Sequence, residues 1–235
     1  MATKMRWLYI ILGLIAFWFL YLVCIAIVSG VGEDMNFKIL LEKHGVKKGV
    51  YDGISGYTFH FRKYGRYHTG YGEVTQVGME NIRGAVLDNN LNIMETVFLD
   101  IGCGVGKSLV MAKLMGFKGA IGVELVQERY VMAKGVVKLL PESLRKDIDI
   151  VNTDMLKWKV PRFEKPVVIF ASNLLWPVPV SKDFFAKYMR ALPPGSLIIA
   201  SRVYFHEGDS DKRATYDINV PMSWSKYDTC TVIKV

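Results

Sequence analysis

FLDIGCGVGKS, residues 98–108, runs from an apolar stretch through Asp100 into glycines at alternate positions, Gly102, Gly104 and Gly106, and then a Lys107-Ser108 pair. An apolar run broken by glycines predicts a buried strand, a tight turn and the start of a helix, here VFLDI over 97–101 and a helix over 107–115 that Gly116 ends. The same rhythm continues outward. GAIGVEL (119–125) reads as a second strand and residues 127–140 as a helix stopped before Pro141. IDIVN (148–152) and VVIFAS (167–172) read as further strands, and SLIIAS after the PPG turn at 193–195 as a fifth. Ser181 is placed to cap a helix running through SKDFFAKYMRAL, and Val77, Ile82, Val86 and Leu91 mark an earlier one. TCTVIKV closes the chain with an antiparallel edge. Strands alternating with helices predict an α/β fold: a Rossmann-like, seven-stranded, mostly parallel sheet with helices on both faces, preceded by one transmembrane helix.

Two phosphate-binding spacings are excluded at this loop. A G-x-x-x-x-G-K-S loop needs glycine at position 101, which is Ile101, and G-x-G-x-x-G needs it at 107, which is Lys107. The remaining pattern, apolar-apolar-Asp-apolar-G-x-G-x-G, resembles motif I of class I S-adenosyl-L-methionine-dependent methyltransferases. Asp100 fits that resemblance, because an acid at a strand end repels a pyrophosphate but accepts from the ammonium of a methionine moiety. Glu124 follows 22 residues after Gly102, where nucleoside-binding α/β folds place an acid for the two ribose hydroxyls. Asp154, in VNTDML, is placed to accept from an adenine amino group, and Met155 to cover the base.

Further segments over residues 69–235 resemble the seven-strand, non-SET histone lysine methyltransferases, the disruptor-of-telomeric-silencing family. TGYGEV (69–74) is similar to that family's Y-G-E loop, DIGCGVGK to its D-L-G-S-G-V-G-Q, and VIFASNLLWP (168–177) to its V-I-F-V-N-N-F-x-F stretch. PMSWSK (221–226) with Tyr227 is similar to the S-W and tyrosine near its C-terminus. The resemblance implies methyl transfer to a protein lysine ε-amine. It implies a cofactor site of Tyr71, Glu73, Asp100, Gly102, Cys103, Gly104, Gly106, Lys107, Glu124, Asp154, Met155 and Asn173, with Ser172, Asn173, Trp176 and Tyr227 as catalytic groups. The sequence departs from the family at Ser172, Leu174 and Val74. Two alternatives stand beside it. Asn173-Leu174-Leu175-Trp176 is distantly similar to the [DNS]-P-P-[YFW] motif of methyltransferases acting on adenine or glutamine amide nitrogens, with both prolines missing. A membrane-tethered cofactor-binding module without turnover is the other.

Residues 7–32 contain no charge over 26 positions. At ~1.5 Å per residue a helix of that length exceeds a ~30 Å hydrocarbon core, so the run predicts a single-pass anchor. It is longer than the core of a cleaved signal peptide and lacks the polar stripe of a soluble helix. Residues 38–66 carry seven Lys and Arg against Glu42 and Asp52, interleaved with Tyr51, Tyr57, Phe59, Phe61, Tyr64 and Tyr67. Such a stretch can contact anionic lipid or nucleic acid, or pack as a solvated juxtamembrane segment. Basic residues on both sides of the span slightly favour a cytosolic main domain. The expected organisation is an anchor over 1–34, a basic aromatic lead-in over 35–70 and a methyltransferase domain over 71–235, monomeric and taking a protein substrate. A net charge of +8 suits an anionic partner without naming one. The three cysteines, Cys24, Cys103 and Cys230, form no C-x-x-C pair, so neither a disulfide framework nor a cysteine zinc site is expected.

Overall fold

β1 (Val97–Ile101) is buried on both sides, Phe98 facing one apolar cluster and Leu99 the other, each with no exposure. A strand walled in on two faces is the signature of the centre of a parallel sheet. In the computed structural model of the chain, which describes residues 35–47, 50, 51, 54, 64, 70–205 and 215–235, β1 lies mid-sheet. The partners are β2 (Gly119–Glu124), β3 (Ile148–Asn152), β4 (Val168–Ala171), β5 (Leu197–Ala200), β6 (Thr215–Asn219) and β7 (Thr229–Lys234). Their order is β3-β2-β1-β4-β5-β7-β6. The first five are parallel, and β7 pairs antiparallel with both β5 and β6. The mixed edge expected from the chain's ending is therefore present.

The two faces are covered unequally. On one lie α1 (Met35–Lys43), α2 (Gln76–Asp88), α3 (Lys107–Leu114) and α4 (Gln127–Leu139), followed by the short α5 (Glu142–Arg145). The other is covered by α6 (Val178–Ala191) and the irregular segment after β3, with Phe184, Phe185 and Tyr188 fully buried beside Met155 and Trp158. Phe184 takes Phe185 edge-on at 5.1 Å and Trp176 edge-on at 5.4 Å, offset geometries that aromatic pairs favour.

The structure departs from the sequence reading at one helix start and adds one strand. Ser181 does not cap the helix. α6 opens earlier, at Val178 after Pro177, and Ser181 lies inside it with no exposure. Prolines are at home in a first helical turn, where the missing N–H has no partner to lose, so Pro177 and Pro179 moved the start upstream. β6 was not anticipated: Tyr216 and Ile218 alternate with polar residues in TYDIN, but the run is short and four of its five positions are exposed, so no buried face announces it. Within 35–70, Phe37, Leu41, Val46 and Val50 are buried in the same cluster as the sheet, and residues Asn36–Val235 form one unit. Phe37 and Leu41 stand four apart on α1 and share a helical face. Among the described residues no helix is long and apolar enough to cross a membrane, and the run at 7–32 lies outside them.

Candidate active site

Strand order reverses between β1, which leads to β2 and β3 on one side, and β4, which leads to β5 on the other. In open α/β sheets ligands gather beyond the strands' carboxyl ends at such a reversal. A cavity of about 310 Å³ lies there, within the usual range for a small-molecule site. It takes Ile101 and Gly102 from the end of β1, Val123 and Glu124 from β2, Thr153, Asp154 and Met155 from beyond β3, and Ser172 and Trp176 from beyond β4.

The glycine loop is held to β2 from beneath. Gly102 N–H donates to Val123 O at 2.7 Å, and Gly104 N–H donates to the Glu124 Oε2 at 2.7 Å. The other Glu124 oxygen accepts from Val126 N–H at 2.8 Å. One buried carboxylate thus ties the turn after β1 to the turn after β2 while facing the cavity. Burial raises its pKa, and the backbone donors and Arg129 act against that rise. Gly104 adopts φ +56°, and a Cβ there would lie 2.5 Å from the Tyr71 ring. Only glycine meets both conditions.

Asp100, at the end of β1, is buried and accepts from the Ser108 hydroxyl. Burial pushes its pKa up to about 7; the Ser108 bond lowers it and nearby Glu124 raises it. It borders a second, smaller hollow of about 30 Å³ with Glu73, Lys107 and Cys103, and Tyr71, Gly72, Gly102 and Ser172 line both spaces. An acid protonated more readily folded than unfolded binds its extra proton in the native state. Stability from this group therefore falls as pH rises from about 4 towards 7 and stays low above it. Asp100→Asn keeps a hydrogen-bonding partner for Ser108 and removes the charge. Expected is a gain on the order of 1–3 kcal/mol at pH 8 and none at pH 4, read by denaturant unfolding at both pH values. An unchanged or lower stability at pH 8 would contradict the assignment.

The Y-G-E loop closes the site from above. Tyr71 OH donates to Glu73 Oε1 at 2.5 Å, and the Lys107 ammonium pairs with Glu73 Oε2 at 2.5 Å. The Arg129 guanidinium stacks over the Tyr71 ring at 4.9 Å. The loop is stitched to the chain's ending by Glu73 N–H to Ser223 Oγ at 3.0 Å and Ser223 N–H to Glu73 O at 2.7 Å. Trp224 lies against Gly72 so closely that a Cβ there would be 1.8 Å from its ring. The similarity seen separately at 69–74 and 221–226 is thus one contact in space.

Most of the expected residues converge here, and three behave differently. Asn173 is fully buried and lines neither hollow. Its amide donates to Arg202 O at 2.7 Å and accepts from Arg202 N–H at 2.9 Å, clamping the end of β4 to the end of β5. Tyr227 is 87% exposed and lines neither hollow. Gly106 serves as the N-cap of α3 at φ +82° rather than as cavity wall. Sequence reasoning missed Trp224 and Arg129, both cavity-lining. The Ser-Trp pair was the available signal for the first. Nothing local in the sequence marks Arg129, which is buried on α4 facing Glu124 and Tyr71.

No protein-family model matches the chain, and no curated protein matches it. Among solved structures it is similar to the methyltransferase domain of a bacterial CtHen1, at 12% identity and TM-score 0.50, over 68% of this chain and 98% of that one. It is also similar to the glycopeptide N-methyltransferase MtfA complexed with S-adenosyl-L-homocysteine, at 13% identity and TM-score 0.49, over 67% and 89%. An RNA methyltransferase from Salinibacter ruber, in complex with S-adenosyl-L-homocysteine, follows at 14% and TM-score 0.46, over 66% and 89%. In the sinefungin complex of MtfA this chain spans 60% of that protein's length. The likeness is one of fold: a Rossmann-like α/β architecture with a mixed seven-stranded sheet.

Proposed function

We propose that this chain is an S-adenosyl-L-methionine-dependent N-methyltransferase acting on a protein lysine ε-amine. The observation that supports the cofactor most is Glu124, a buried acid at the carboxyl end of β2 that grips the glycine loop and faces the cavity. A carboxylate oxygen with one backbone donor keeps a lone pair for a ribose hydroxyl, so the donor set fits a nucleoside. Asp154 and Met155 stand beyond the next strand for the base. Asp100 and Glu73 border the smaller hollow and suit an ammonium group. S-adenosyl-L-methionine, when bound, supplies an electrophilic methyl group on a positively charged sulfur.

The residues of the chain bind, orient and exclude water. Lysine in water is protonated, with a pKa of ~10.4, and an apolar wall disfavours the charged form. Trp176, Leu175 and Trp224 line such a wall at the cavity, and the proton leaves to solvent before the amine is enclosed. The family resemblance supports lysine over other acceptors. The adenine or glutamine alternative uses the polar group of Asn173 to bind a planar NH2, and both polar atoms of that side chain are engaged by Arg202.

Incubation of the full chain with methyl-labelled cofactor and separate protein, DNA and RNA acceptors tests this. Expected is label in methyl-lysine after acid hydrolysis, with turnover climbing as pH rises above 7; label on a nucleobase would contradict the reading. Trp224→Ala should raise the acceptor KM about tenfold while the cofactor Kd moves by less than about threefold. The reverse pattern would place Trp224 on the cofactor. We further propose that residues 7–32 anchor the chain in a membrane, with the domain on the cytosolic side. The chain should then resist carbonate extraction, and recovery of the intact chain in the soluble fraction would contradict the anchor.

A further inference from the structure

Beyond β3 the chain makes a single helical turn. Lys157 N–H and Trp158 N–H both donate to Asp154 O at 2.9 Å, and Leu156 N–H donates to the Asp154 side-chain Oδ1 at 2.8 Å. Such a turn leaves its last carbonyls without partners within the segment. Here they converge on one cation from the neighbouring helix on the same face of the sheet. Lys187, on α6, donates to Met155 O at 2.9 Å, Leu156 O at 2.9 Å and Trp158 O at 2.5 Å, matching the three protons of an ammonium. Its neighbour Tyr188 donates to Met155 O at 3.1 Å. The Tyr188 ring also packs 6.5 Å from Trp158, with the Lys187 ammonium over it at 5.5 Å. Neither Lys187 nor Tyr188 lines the cavity, whereas Asp154 and Met155 do.

We infer that Lys187, assisted by Tyr188, is a positioning residue that fixes the Asp154–Met155 wall and so sets affinity for the nucleoside end of the ligand. This rests on the assignment of that wall to the adenine base. A lysine whose only task were surface solubility would not spend three donors on three carbonyls of one turn. An ammonium beside Asp154 also neutralises that end of the cavity without entering it. Arginine can reach the same carbonyls with its fork, while methionine fills the space and supplies no donor.

The test is calorimetry on the full chain with S-adenosyl-L-homocysteine and with 5′-methylthioadenosine, which lacks the amino-acid end. Lys187→Met should weaken both probes about tenfold and by equal factors, and Lys187→Arg should restore most of the loss. In an Asp154→Ala background, Lys187→Met should cost less than about twofold more, because its effect passes through that wall. Tyr188→Phe preserves the packing and should weaken both probes about threefold, which keeps the inference testable if Lys187→Met fails to fold. Unchanged affinity in Lys187→Met and Tyr188→Phe, or equal losses with and without Asp154, would overturn it. A wild-type chain that binds neither probe would overturn the nucleoside assignment itself, and the inference with it.

Discussion

Glu124→Ala is expected to abolish useful cofactor affinity while leaving a folded protein. The side chain has two jobs that the variant separates. Facing the cavity it is, on the proposed function, the acceptor for two ribose hydroxyls, and bonds to a charged group are worth ~1.5–3 kcal/mol. Facing the core it receives Gly104 N–H and Val126 N–H, which hold the glycine loop in register with β2. Losing the first and loosening the second should weaken S-adenosyl-L-homocysteine binding by about 100-fold or more. Stability should move less. Burial holds the Glu124 pKa above its usual value, so the charge itself opposes folding at neutral pH, and its removal offsets the two orphaned donors. Calorimetry and urea unfolding on the same sample give both numbers. Wild-type affinity in Glu124→Ala would remove this acid from the site.

Asn173→Ala is expected to show the opposite signature. Its amide has no exposure and answers both main-chain groups of Arg202. Alanine leaves a donor and an acceptor unmatched at the seam between β4 and β5, at roughly 1–3 kcal/mol for each group that water does not reach. A net loss of roughly 2–3 kcal/mol lowers Tm by about 4–12 °C in a domain of this size. Binding of S-adenosyl-L-homocysteine measured well below Tm should change by less than about fivefold, since the residue lines neither hollow. Turnover falls only as far as Ser172 and Trp176, its chain neighbours at the cavity, shift. Unchanged Tm with lost turnover would return Asn173 to the reacting groups.

The contrast between these two residues shows where sequence stops being informative. VFLDI declared its strand to the residue because both faces of the sheet are buried there and demand an apolar run, while IDIVN, the edge strand with Asp149 exposed, declared its own by alternation. Glu124 and Asp154 were legible because strand ends and ligand positions are coupled by topology rather than by side-chain detail. That Asn173 turns to Arg202 and lines neither hollow was not legible, because a sequence position gives the end of a strand but not which way its amide turns. Tyr227 and Trp224 sit three apart in one short ending, and only the packing against Gly72 decides that Trp224 reaches the site. The 35–70 stretch hid Phe37 and Leu41 among lysines, where local charge outweighed a single helical pair. Lys187 was invisible for another reason: its partners are backbone carbonyls about thirty residues away.

The most direct test of the central claim is equilibrium binding of S-adenosyl-L-homocysteine to the full chain, with ATP and NAD as competitors. The glycine spacing and Asp100 at the strand end predict micromolar binding of S-adenosyl-L-homocysteine that neither phosphate-bearing ligand displaces. Displacement by ATP or NAD, or a folded protein with no affinity for S-adenosyl-L-homocysteine, would contradict it.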